Sequence, residues 1–500
     1  MKNLFKIVLA LTFLVILILL ASCENTVTTD MTGSCAEPTE QSAETTEPVA
    51  FCTVVFLDDD GTVLKTQTVA YGASASAPTV PEREGYIFGG WSGSFLNVTE
   101  NITVTATYAP PLHFFLNNDK KSYSVCGDGA VGDIVIPDTY NGLPVTSIGI
   151  PGYDKYTFGG FSFCKGLTGI TIPDSVTFID SNAFYKCENL KRVKIGGGVS
   201  YVGNNVFYGC TSLEFSEYEN GLYLGNDENP YAMLVGVKNK DVTSFDVHGD
   251  ATVIVPEAFD GITTLTSVSL PSGLKSFGYG AMKGLSKSRW LKYNRDGSGL
   301  YLGNAENPYV VLAKAEHSGI KSCNVNTNTK IIADQAFSGC QKLERVSIPD
   351  GVVYIGIHAF DYCTSLSEAE IPESVAYIGE NAFVRCEKLS AVTIPKNVLF
   401  VSRSAFSRCA RLESVTLSGG VAEICYGAFS NCKKLERITI PVGVSYIGEC
   451  AFNGCESLCE IVYGGTTEQW NAIEKEDGWN YGTKDFTVVC TDGNIEKQTP

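Results

Sequence analysis

Apolar residues recur with a period of 23 residues through most of this chain. Each copy carries the phrase Ile-Pro-x-x-Val-x-x-Ile-Gly-x-x-Ala-Phe-x-x-Cys-x-x-Leu-x-x-Val, which residues 371–393 follow most closely. Other copies begin at Ile172, Ile195, Ile348, Ile394, Leu417 and Ile440. A fixed period of this kind indicates a solenoid, because one repeat cannot bury its own apolar face and must stack on its neighbours.

Two short extended segments are predicted in each repeat. Val375 and Ile378 point inward from the first segment, and Leu389 and Val392 point inward from the second. Ala382 lies between them, where a small side chain lets the coil bend tightly. Alternation of inward and outward side chains is the period of a β-strand. The pattern therefore predicts a mainly β fold built from repeats of about 23 residues.

Cysteine holds one position of the phrase in nine repeats: Cys164, Cys187, Cys210, Cys340, Cys363, Cys386, Cys409, Cys432 and Cys455. Stacked strands lie about 4.7–4.9 Å apart, whereas the Cβ atoms of a disulfide lie about 3.8 Å apart. We therefore expect a ladder of buried free thiols. Cys450, Cys455 and Cys459 form the densest group, but no His lies near them in sequence, so zinc is not expected there.

The sequence also contains a longer repeat of 78 residues, in addition to the 23-residue repeat. Residues 221–226 (GLYLGN) recur as 299–304, and residues 228–231 (ENPY) recur as 306–309. These copies interrupt the 23-residue phase between Cys210 and Cys340, and they predict insertions near 217–250 and 295–328. We expect the insertions to project from the solenoid as hairpins, where they are candidate contacts for a partner.

An aromatic residue precedes the inward Ile or Val of the first segment in six repeats. These residues form a candidate binding stripe: Phe178, Tyr201, Tyr354, Tyr377, Phe400 and Tyr446. Strand alternation places them opposite the core, so we expect an exposed aromatic ladder that a protein or glycan would contact. The alternative is that they pack on each other and shield the sheet. Replacement of Tyr354 and Tyr377 by Ser is expected to leave the fold intact and to weaken binding.

A different pattern occupies residues 50–109. An apolar run ends at Leu57, the turn Asp58–Gly61 follows, and a second run begins at Thr62, which is the signature of a hairpin. The sequence GYIFGGW at 85–91 and the alternating segment 102–108 predict two further strands. We expect a small β domain.

The N-terminus carries a short basic start followed by a nearly continuous apolar run from Leu4 to Leu20. The run ends in Leu-Ala-Ser-Cys at 20–23, which resembles the lipobox of bacterial lipoproteins. The resemblance implies cleavage before Cys23 and lipid attachment to its thiol. An uncleaved membrane anchor is the alternative, since about 17–25 apolar residues can span a bilayer. Residues 24–48 are rich in Thr, Glu, Ser and Pro and predict a disordered stalk.

Charge and motif content limit the possible functions. The chain has 55 acidic and 37 basic residues, which gives a net charge of −18 and argues against binding to nucleic acid or to anionic lipid through charge. Its 4 His lie in no metal-ligand pattern, and no nucleophile elbow or phosphate-binding loop is present. We therefore predict no catalytic residue, no metal site and no cofactor.

Two stretches resemble known families. Residues 113–463 resemble the BspA-like leucine-rich repeat family, from the opening IVIP at 134–137 to a terminal cap that includes Trp470. Residues 50–109 resemble the internalin B-repeat, also called the Listeria–Bacteroides repeat, which has a small β-grasp-like fold. The first resemblance implies adhesion, and the second implies a spacer or adhesive module. Neither carries a ligand residue over to this chain.

These observations divide the chain into five predicted parts. They are a lipoprotein signal peptide (1–22), a disordered acidic stalk (23–49), an internalin B-repeat-like domain (50–109), a leucine-rich repeat solenoid (110–463), and a cap and tail (464–500). We expect a membrane-anchored lipoprotein on the outer surface of a bacterium. Its array would bind a protein or glycan of a host or neighbouring cell. The alternatives are a non-adhesive spacer of the envelope and, less favoured, a glycan-binding accessory protein or an enzyme.

Overall fold

A computed structural model describes residues 50–81, 87–109, 112–117, 119–149, 159–278, 280–286 and 289–496. The predicted signal peptide, Cys23 and the stalk lie outside the described residues. Strands dominate the described chain, and its α-helices are α1 (Ala281–Ser286) and α2 (Thr467–Ala472). No described helix is long and apolar enough to cross a membrane.

The N-terminal strands form one four-stranded sheet in the order β2-β1-β4-β3. They are β1 (Phe51–Leu57), β2 (Val63–Ala70), β3 (Ile87–Trp91) and β4 (Ile102–Ala109). The predicted turn joins β1 to β2, with the Asp58 N–H donating to Thr62 O at 2.7 Å. Gly61 has a φ of 87°, which glycine adopts without a steric penalty.

The repeat region is a continuous stack of coils. Strands of successive coils form sheets along two of its sides, named here the long-strand side and the short-strand side. The long-strand side consists of β7 (Gly132–Val135), β10 (Leu167–Ile172), β12 (Arg192–Ile195), β17 (Ser244–Asp246), β19 (Ser267–Ser269), β24 (Ser322–Asn324), β26 (Arg345–Ser347), β28 (Glu368–Glu370), β30 (Ala391–Ile394), β32 (Ser414–Leu417), β34 (Arg437–Ile440), β36 (Glu460–Tyr463), β38 (Thr487–Cys490) and β39 (Gly493–Glu496). The short-strand side consists of β5 (His113–Leu116), β6 (Tyr123–Cys126), β9 (Leu143–Ile148) with β8 (Thr139–Tyr140) beside it, β11 (Phe178–Ile179), β13 (Tyr201–Val202), β18 (Val253–Ile254), β20 (Ser276–Phe277), β25 (Ile331–Ile332), β27 (Tyr354–Ile355), β29 (Tyr377–Ile378), β31 (Phe400–Val401), β33 (Glu423–Ile424), β35 (Tyr446–Ile447) and β37 (Glu474–Lys475).

Strands of successive regular repeats pair in parallel at the register that the sequence period requires. On the long-strand side Val392 pairs with Val415, which pairs with Ile438. On the short-strand side Tyr354 pairs with Tyr377. Each pairing joins equivalent positions of neighbouring repeats, so the predicted solenoid of 23-residue coils is confirmed.

The remaining side of each coil, the turn side, contains the Ala-Phe-x-x-Cys segment. The Phe rings stack along it, with centroids 4.8 Å apart from Phe360 to Phe383 and 5.1 Å apart from Phe383 to Phe406. The Phe383 N–H donates to Ala405 O of the next coil at 2.8 Å. The residues two before and two after this Phe, Asn381 and Arg385, have φ near 54° and 59°, which closes the turn tightly.

All cysteines that the structure describes are free thiols, and most are buried, as the strand spacing indicates. Most repeat thiols also donate to a backbone carbonyl of the preceding coil. The Cys386 thiol donates to Phe360 O at 3.3 Å, and the Cys409 thiol donates to Phe383 O at 3.2 Å. The cysteine position therefore fills the core and gives a carbonyl of the preceding coil a second donor, since Phe360 O also accepts from the Cys363 N–H at 3.1 Å.

The two insertions are part of the solenoid. The first contains β14 (Ser216–Tyr218), β15 (Gly221–Leu224) and β16 (Met233–Val237), and the second contains β21 (Asn294–Asp296), β22 (Gly299–Leu302) and β23 (Val311–Ala315). The strands β16 and β23 pair in parallel with β18 and β25, so they continue the short-strand side. The prediction that the insertions project as free hairpins is wrong, because Tyr223 and Tyr301 anchor them in the core and are fully buried.

The last coil is covered by aromatic residues. The helix α2 starts with a capping box in which Thr466 and Gln469 bond reciprocally, and its Trp470 is buried. Trp479 packs edge-on against Phe452, the last ring of the Phe stack, at 5.9 Å. The terminal Phe ring is thereby removed from water.

The thiol arrangement predicts an order of chemical reactivity. Burial raises the pKa of the Cys386 and Cys409 thiols, whereas Cys459 is exposed. Because the thiolate is the reactive form, iodoacetamide at pH 8 should label Cys459 long before either buried thiol. Peptide mapping by mass spectrometry measures this order, and full denaturation is the control that should expose all three. Equal native labelling of Cys386 and Cys459 would contradict the described packing.

Candidate functional site

The solenoid folds back on itself at the predicted aromatic stripe. Phe178 and Tyr201 belong to β11 and β13, which we call the N-terminal arm; Tyr377 and Phe400 belong to β29 and β31, in the C-terminal arm. Across the arms, Tyr201 lies 4.9 Å from Tyr377 and Phe178 lies 5.9 Å from Phe400 between ring centroids. The sequence order of these pairs is antiparallel, so the two short-strand sides face each other.

The expected exposure of the stripe is wrong. Tyr354 is only 2% exposed, and Phe178, Tyr201, Tyr377, Phe400 and Tyr446 are partly buried. Rings within an arm also stack, with Phe178 and Tyr201 4.5 Å apart and Tyr354 and Tyr377 4.8 Å apart. The alternative, that these rings pack on each other and shield the sheet, describes the arrangement. The cause is a second layer of packing that each arm supplies to the other.

Smaller residues replace the aromatic rings where the chain turns back. Val253, Ser276 and Ile331 hold the stripe position in β18, β20 and β25, and all three are fully buried although they point away from the repeat core. The face between the arms is therefore a second core of the solenoid.

Carboxyl groups border this inner face. Asp334 accepts hydrogen bonds from the Ile357 N–H at 2.9 Å and from the Gly280 N–H at 3.2 Å. Asp180 follows β11 in the N-terminal arm and accepts from the Ser181 N–H at 2.7 Å. Burial raises the pKa of each of these two carboxyls to about 7.

The charge of the opposite arm adds to this effect. Glu380 lies in the C-terminal arm and raises the pKa of Asp180 further. Burial likewise raises the pKa of the Tyr201 and Tyr377 hydroxyls. Among the described residues, no basic group pairs with Asp180. The acidic surroundings therefore favour the protonated form of the Asp180 carboxyl.

A second aromatic cluster lies on the turn side of the first coils, and the sequence interpretation missed it. Phe163, Tyr185 and Tyr208, named here the turn-side ladder, lie between the Phe and the Cys of their repeats. Phe163 is 44% exposed and Tyr208 is 60% exposed. Tyr185 stacks on Tyr208 at 5.3 Å and meets Phe163 edge-on at 5.5 Å. The Lys186 ammonium lies 5.5 Å from the Tyr185 ring.

The turn-side ladder is held by regular backbone pairing. The Phe163 N–H donates to Tyr185 O at 2.8 Å, and the Lys186 N–H donates to Tyr208 O at 2.7 Å. Later repeats have Val384, Ser407 or Ser430 at the positions of Tyr185 and Tyr208. That contrast between early and late repeats was the signal available in the sequence.

Three consecutive aspartates beside the N-terminal sheet form a cluster that is compact enough to hold an ion. Asp58, Asp59 and Asp60 place carboxylate oxygens near one another. Asp60 accepts from the Thr62 N–H at 2.9 Å and Asp58 accepts from the Tyr108 hydroxyl at 2.8 Å. These hydrogen bonds stabilise the hairpin turn that the sequence predicts. The turn by itself explains why aspartates occur at these positions.

Comparison with known proteins finds two family models. The model described as the BspA type leucine rich repeat region matches residues 137–227, 237–294, 315–436 and 378–473. The model described as the Listeria-Bacteroides repeat domain matches residues 53–109. No curated protein matches this chain significantly.

Similar solved structures include three bacterial proteins. A leucine rich cell surface protein from Faecalibacterium prausnitzii is 25% identical, with 74% of this chain and 97% of that chain covered and a TM-score of 0.29. A leucine-rich repeat protein from Eubacterium ventriosum is 20% identical, with coverage of 75% and 93% and a TM-score of 0.34. The pneumococcal vaccine antigen PcpA is 14% identical, with coverage of 76% and 98% and a TM-score of 0.29.

Substitutions in the two aromatic clusters are expected to change the free energy of unfolding by very different amounts. Tyr354→Ser removes a fully buried ring and should lower the free energy of unfolding by about 3–5 kcal/mol, as large-to-small core changes do. Tyr208→Ser removes an exposed ring and should change it by about 0.5 kcal/mol or less. Urea denaturation followed by circular dichroism measures both. Equal effects of the two changes would contradict the closed inner face.

The inner carboxyls predict a fall in stability as pH rises. An unfolded aspartate has a pKa of about 3.9, whereas burial raises the pKa of Asp180 in the fold to about 7. Between these values the folded chain keeps a proton that the unfolded chain has lost, so stability decreases from about pH 4 to about pH 7 and then levels. Asp180→Asn removes this term, and the melting temperature of the variant should fall less between pH 5 and pH 8 than that of the unmodified protein.

The control for this pH experiment is Glu387→Gln, which neutralises an exposed acid on the same solenoid. Its melting temperature should follow that of the unmodified protein at every pH. A pH dependence that is identical in Asp180→Asn and the unmodified protein would show that the buried carboxyl does not contribute.

Proposed function

Because this chain belongs to the BspA type leucine rich repeat family, whose model matches more than half of it, we propose that it is a bacterial cell-surface protein that binds macromolecules of a host or neighbouring cell through its repeat array. Proteins of this repeat class generally mediate protein interactions, because stacked coils offer an extended and rigid surface. The proposed activity is adhesion by protein–protein contact.

The turn-side ladder is the observation that carries this proposal. Exposed, stacked aromatic rings are costly to leave in water and are enriched at the centres of protein interfaces. Phe163 and Tyr208 are exposed, and Lys186 beside Tyr185 supplies a cation at the edge of the rings. A cation on an aromatic surface favours a partner segment that carries carboxylates next to apolar groups.

The stripe between the arms is a less suitable contact surface. Its rings already contact each other across the arms, and Tyr354 is buried. A partner would reach Tyr201 and Tyr377 only if the arms separated, which would expose the second core. We therefore assign the first partner contact to the turn-side ladder and keep the stripe as a secondary candidate.

We further propose that the protein is anchored as a lipoprotein through Cys23 and faces outward. The basic start, the apolar run and the Leu-Ala-Ser-Cys sequence support this anchor. The acidic segment 24–48 would then separate the folded part from the membrane surface. Mass spectrometry of the membrane fraction tests the anchor, since a diacylglyceryl-modified Cys23 would become the N-terminus.

A non-adhesive spacer of the envelope is the second candidate function. The matched Listeria-Bacteroides repeat domain and the regular register of the solenoid both suit a rigid spacer. A spacer needs no conserved contact chemistry on its surface, so exposed stacked aromatic rings favour adhesion over this alternative. A glycan-binding accessory role is a further candidate that a glycan screen distinguishes.

Adhesion through the turn-side ladder is tested with a double variant. Tyr185→Ser with Tyr208→Ser removes two stacked rings and should reduce binding to host cells and to immobilised extracellular-matrix proteins at least about tenfold, as loss of a hot-spot aromatic does. Binding is measured by surface plasmon resonance and by cell attachment of the purified full chain.

The control is Val384→Ser, which introduces Ser at the equivalent position of a later repeat without removing an aromatic ring. It should leave binding unchanged, and circular dichroism should show that all variants are folded. Full binding by the double variant would exclude the ladder as the contact surface. Absence of binding by the unmodified protein to every cell and matrix surface would favour the spacer.

A further inference from the structure

The inserted hairpins of the two 78-residue units pair their strands at the same register. Both insertions carry an irregularity at the same place, between Leu222 and Tyr223 and between Leu300 and Tyr301. The Tyr223 hydroxyl accepts from the His248 N–H at 3.0 Å, and the Tyr301 hydroxyl accepts from the Asn326 N–H at 3.1 Å. The two hairpins can therefore be compared position by position.

The units differ sharply at one place beside the hairpin. In the first unit Tyr218 meets the His248 ring edge-on at 4.6 Å, and Tyr231 stacks on the same ring at 4.1 Å. In the second unit the equivalents of Tyr218 and His248 are Asp296 and Asn326, which lie 78 residues further along. The pair of rings is replaced by a carboxylate and a carboxamide.

A polar cleft lies at this place in the second unit. It has a volume of about 470 Å³, and its lining includes Asp296, Ser298, Ser322, Asn324, Asn326 and Thr327. A volume in this range suits a small ligand, since ligand sites span roughly 300–1,000 Å³. The cleft lies next to the edge of the long-strand side, at the Asp296–Ser298 turn between β21 and β22.

The Asp296 carboxylate is held in a fixed orientation within the cleft. The Asn326 amide donates to Asp296 Oδ2 at 2.7 Å, and Asn326 Oδ1 in turn accepts from the Asn328 N–H at 2.9 Å. This arrangement leaves Asp296 Oδ1 available to accept from a ligand. A charged acceptor forms stronger hydrogen bonds than a neutral one, so a ligand hydroxyl would bind there best.

The lining chemistry selects the class of ligand. The cleft includes no Lys or Arg, which disfavours an anion, and it offers one carboxylate, which is too few oxygen ligands for a tightly held divalent cation. Hydroxyls and carboxamides supply both donors and acceptors, as a compound with several adjacent hydroxyl groups requires. An apolar compound would leave these polar groups without partners at a cost in affinity.

We propose that the cleft of the second unit is a binding site for a neutral carbohydrate; in the first unit, aromatic rings hold the positions equivalent to Asp296 and Asn326. Asp296 Oδ1 accepts from a sugar hydroxyl, and Asn324, Ser298 and Thr327 bond to the rest of the ring. The site is separate from the turn-side ladder, so the protein carries a glycan contact in addition to its proposed protein contact.

The proposal is tested by saturation-transfer NMR and titration of the full chain. The probes are neutral mono- and disaccharides of hexoses and N-acetylhexosamines, with sialylated and sulfated sugars as comparators. Binding of at least one neutral sugar is expected. Asp296→Ala should weaken that binding at least about tenfold, since it removes hydrogen bonds to a charged group. Absence of binding by all neutral probes, or binding of the acidic sugars alone, would overturn the proposal.

Two further variants use the duplicated unit as an internal control. The double change Asp296→Tyr with Asn326→His copies the first unit and should abolish sugar binding while the melting temperature stays close to that of the unmodified protein. Asn324→Ala should weaken binding, whereas Asp246→Ala, at the equivalent exposed position of the first unit, should not. Undiminished binding by the Asp296→Ala and Asn324→Ala variants would place the sugar elsewhere. The turn-side variant Tyr185→Ser with Tyr208→Ser should bind the sugar normally, which separates this site from the proposed adhesion surface.

Discussion

Stacking of successive coils at a fixed register is the interaction on which the rest of this structure depends. Each coil pairs its strands with equivalent positions of the next coil, as Val392 does with Val415. A slip of one residue would turn inward side chains outward along the whole strand, so the register is strongly specified. The Phe stack and the Cys thiols repeat the same register on the turn side. Backbone bonds and core packing thus enforce one arrangement.

The fold-back of the solenoid adds a second constraint that acts over a much longer range. Phe178 and Phe400 belong to coils far apart in sequence, yet their rings are in contact. Burial of this inner face adds apolar packing, but it also removes much of the water around the half-buried Asp180 carboxyl, which raises its pKa. The stability gained by closing the arms is therefore partly offset by the cost of keeping acids in the same space. That balance makes the inner face sensitive to pH.

The sequence predicted the members of the candidate sites better than their surroundings. The aromatic stripe was predicted as an exposed set of residues, but Tyr354 is buried because another arm covers it. The turn-side ladder was missed because Phe163, Tyr185 and Tyr208 occupy positions that vary between repeats, whereas the interpretation relied on positions that repeats share. The 78-residue duplication was visible in the sequence. The cleft at Asp296 emerged only when the two copies could be compared in space.

The sequence by itself determined the period, the parallel register, the free thiols and the family of this protein. These properties depend on contacts between residues that are 23 positions apart. A periodic sequence pattern predicts such contacts directly. The tertiary structure alone decided that the arms meet, that the insertions join the sheets, and that a cleft lies beside Asp296 in the second unit. Small rotations between coils add up along a solenoid. The sequence of a single repeat does not specify the accumulated rotation. Contacts between distant coils are therefore determined by the assembled fold.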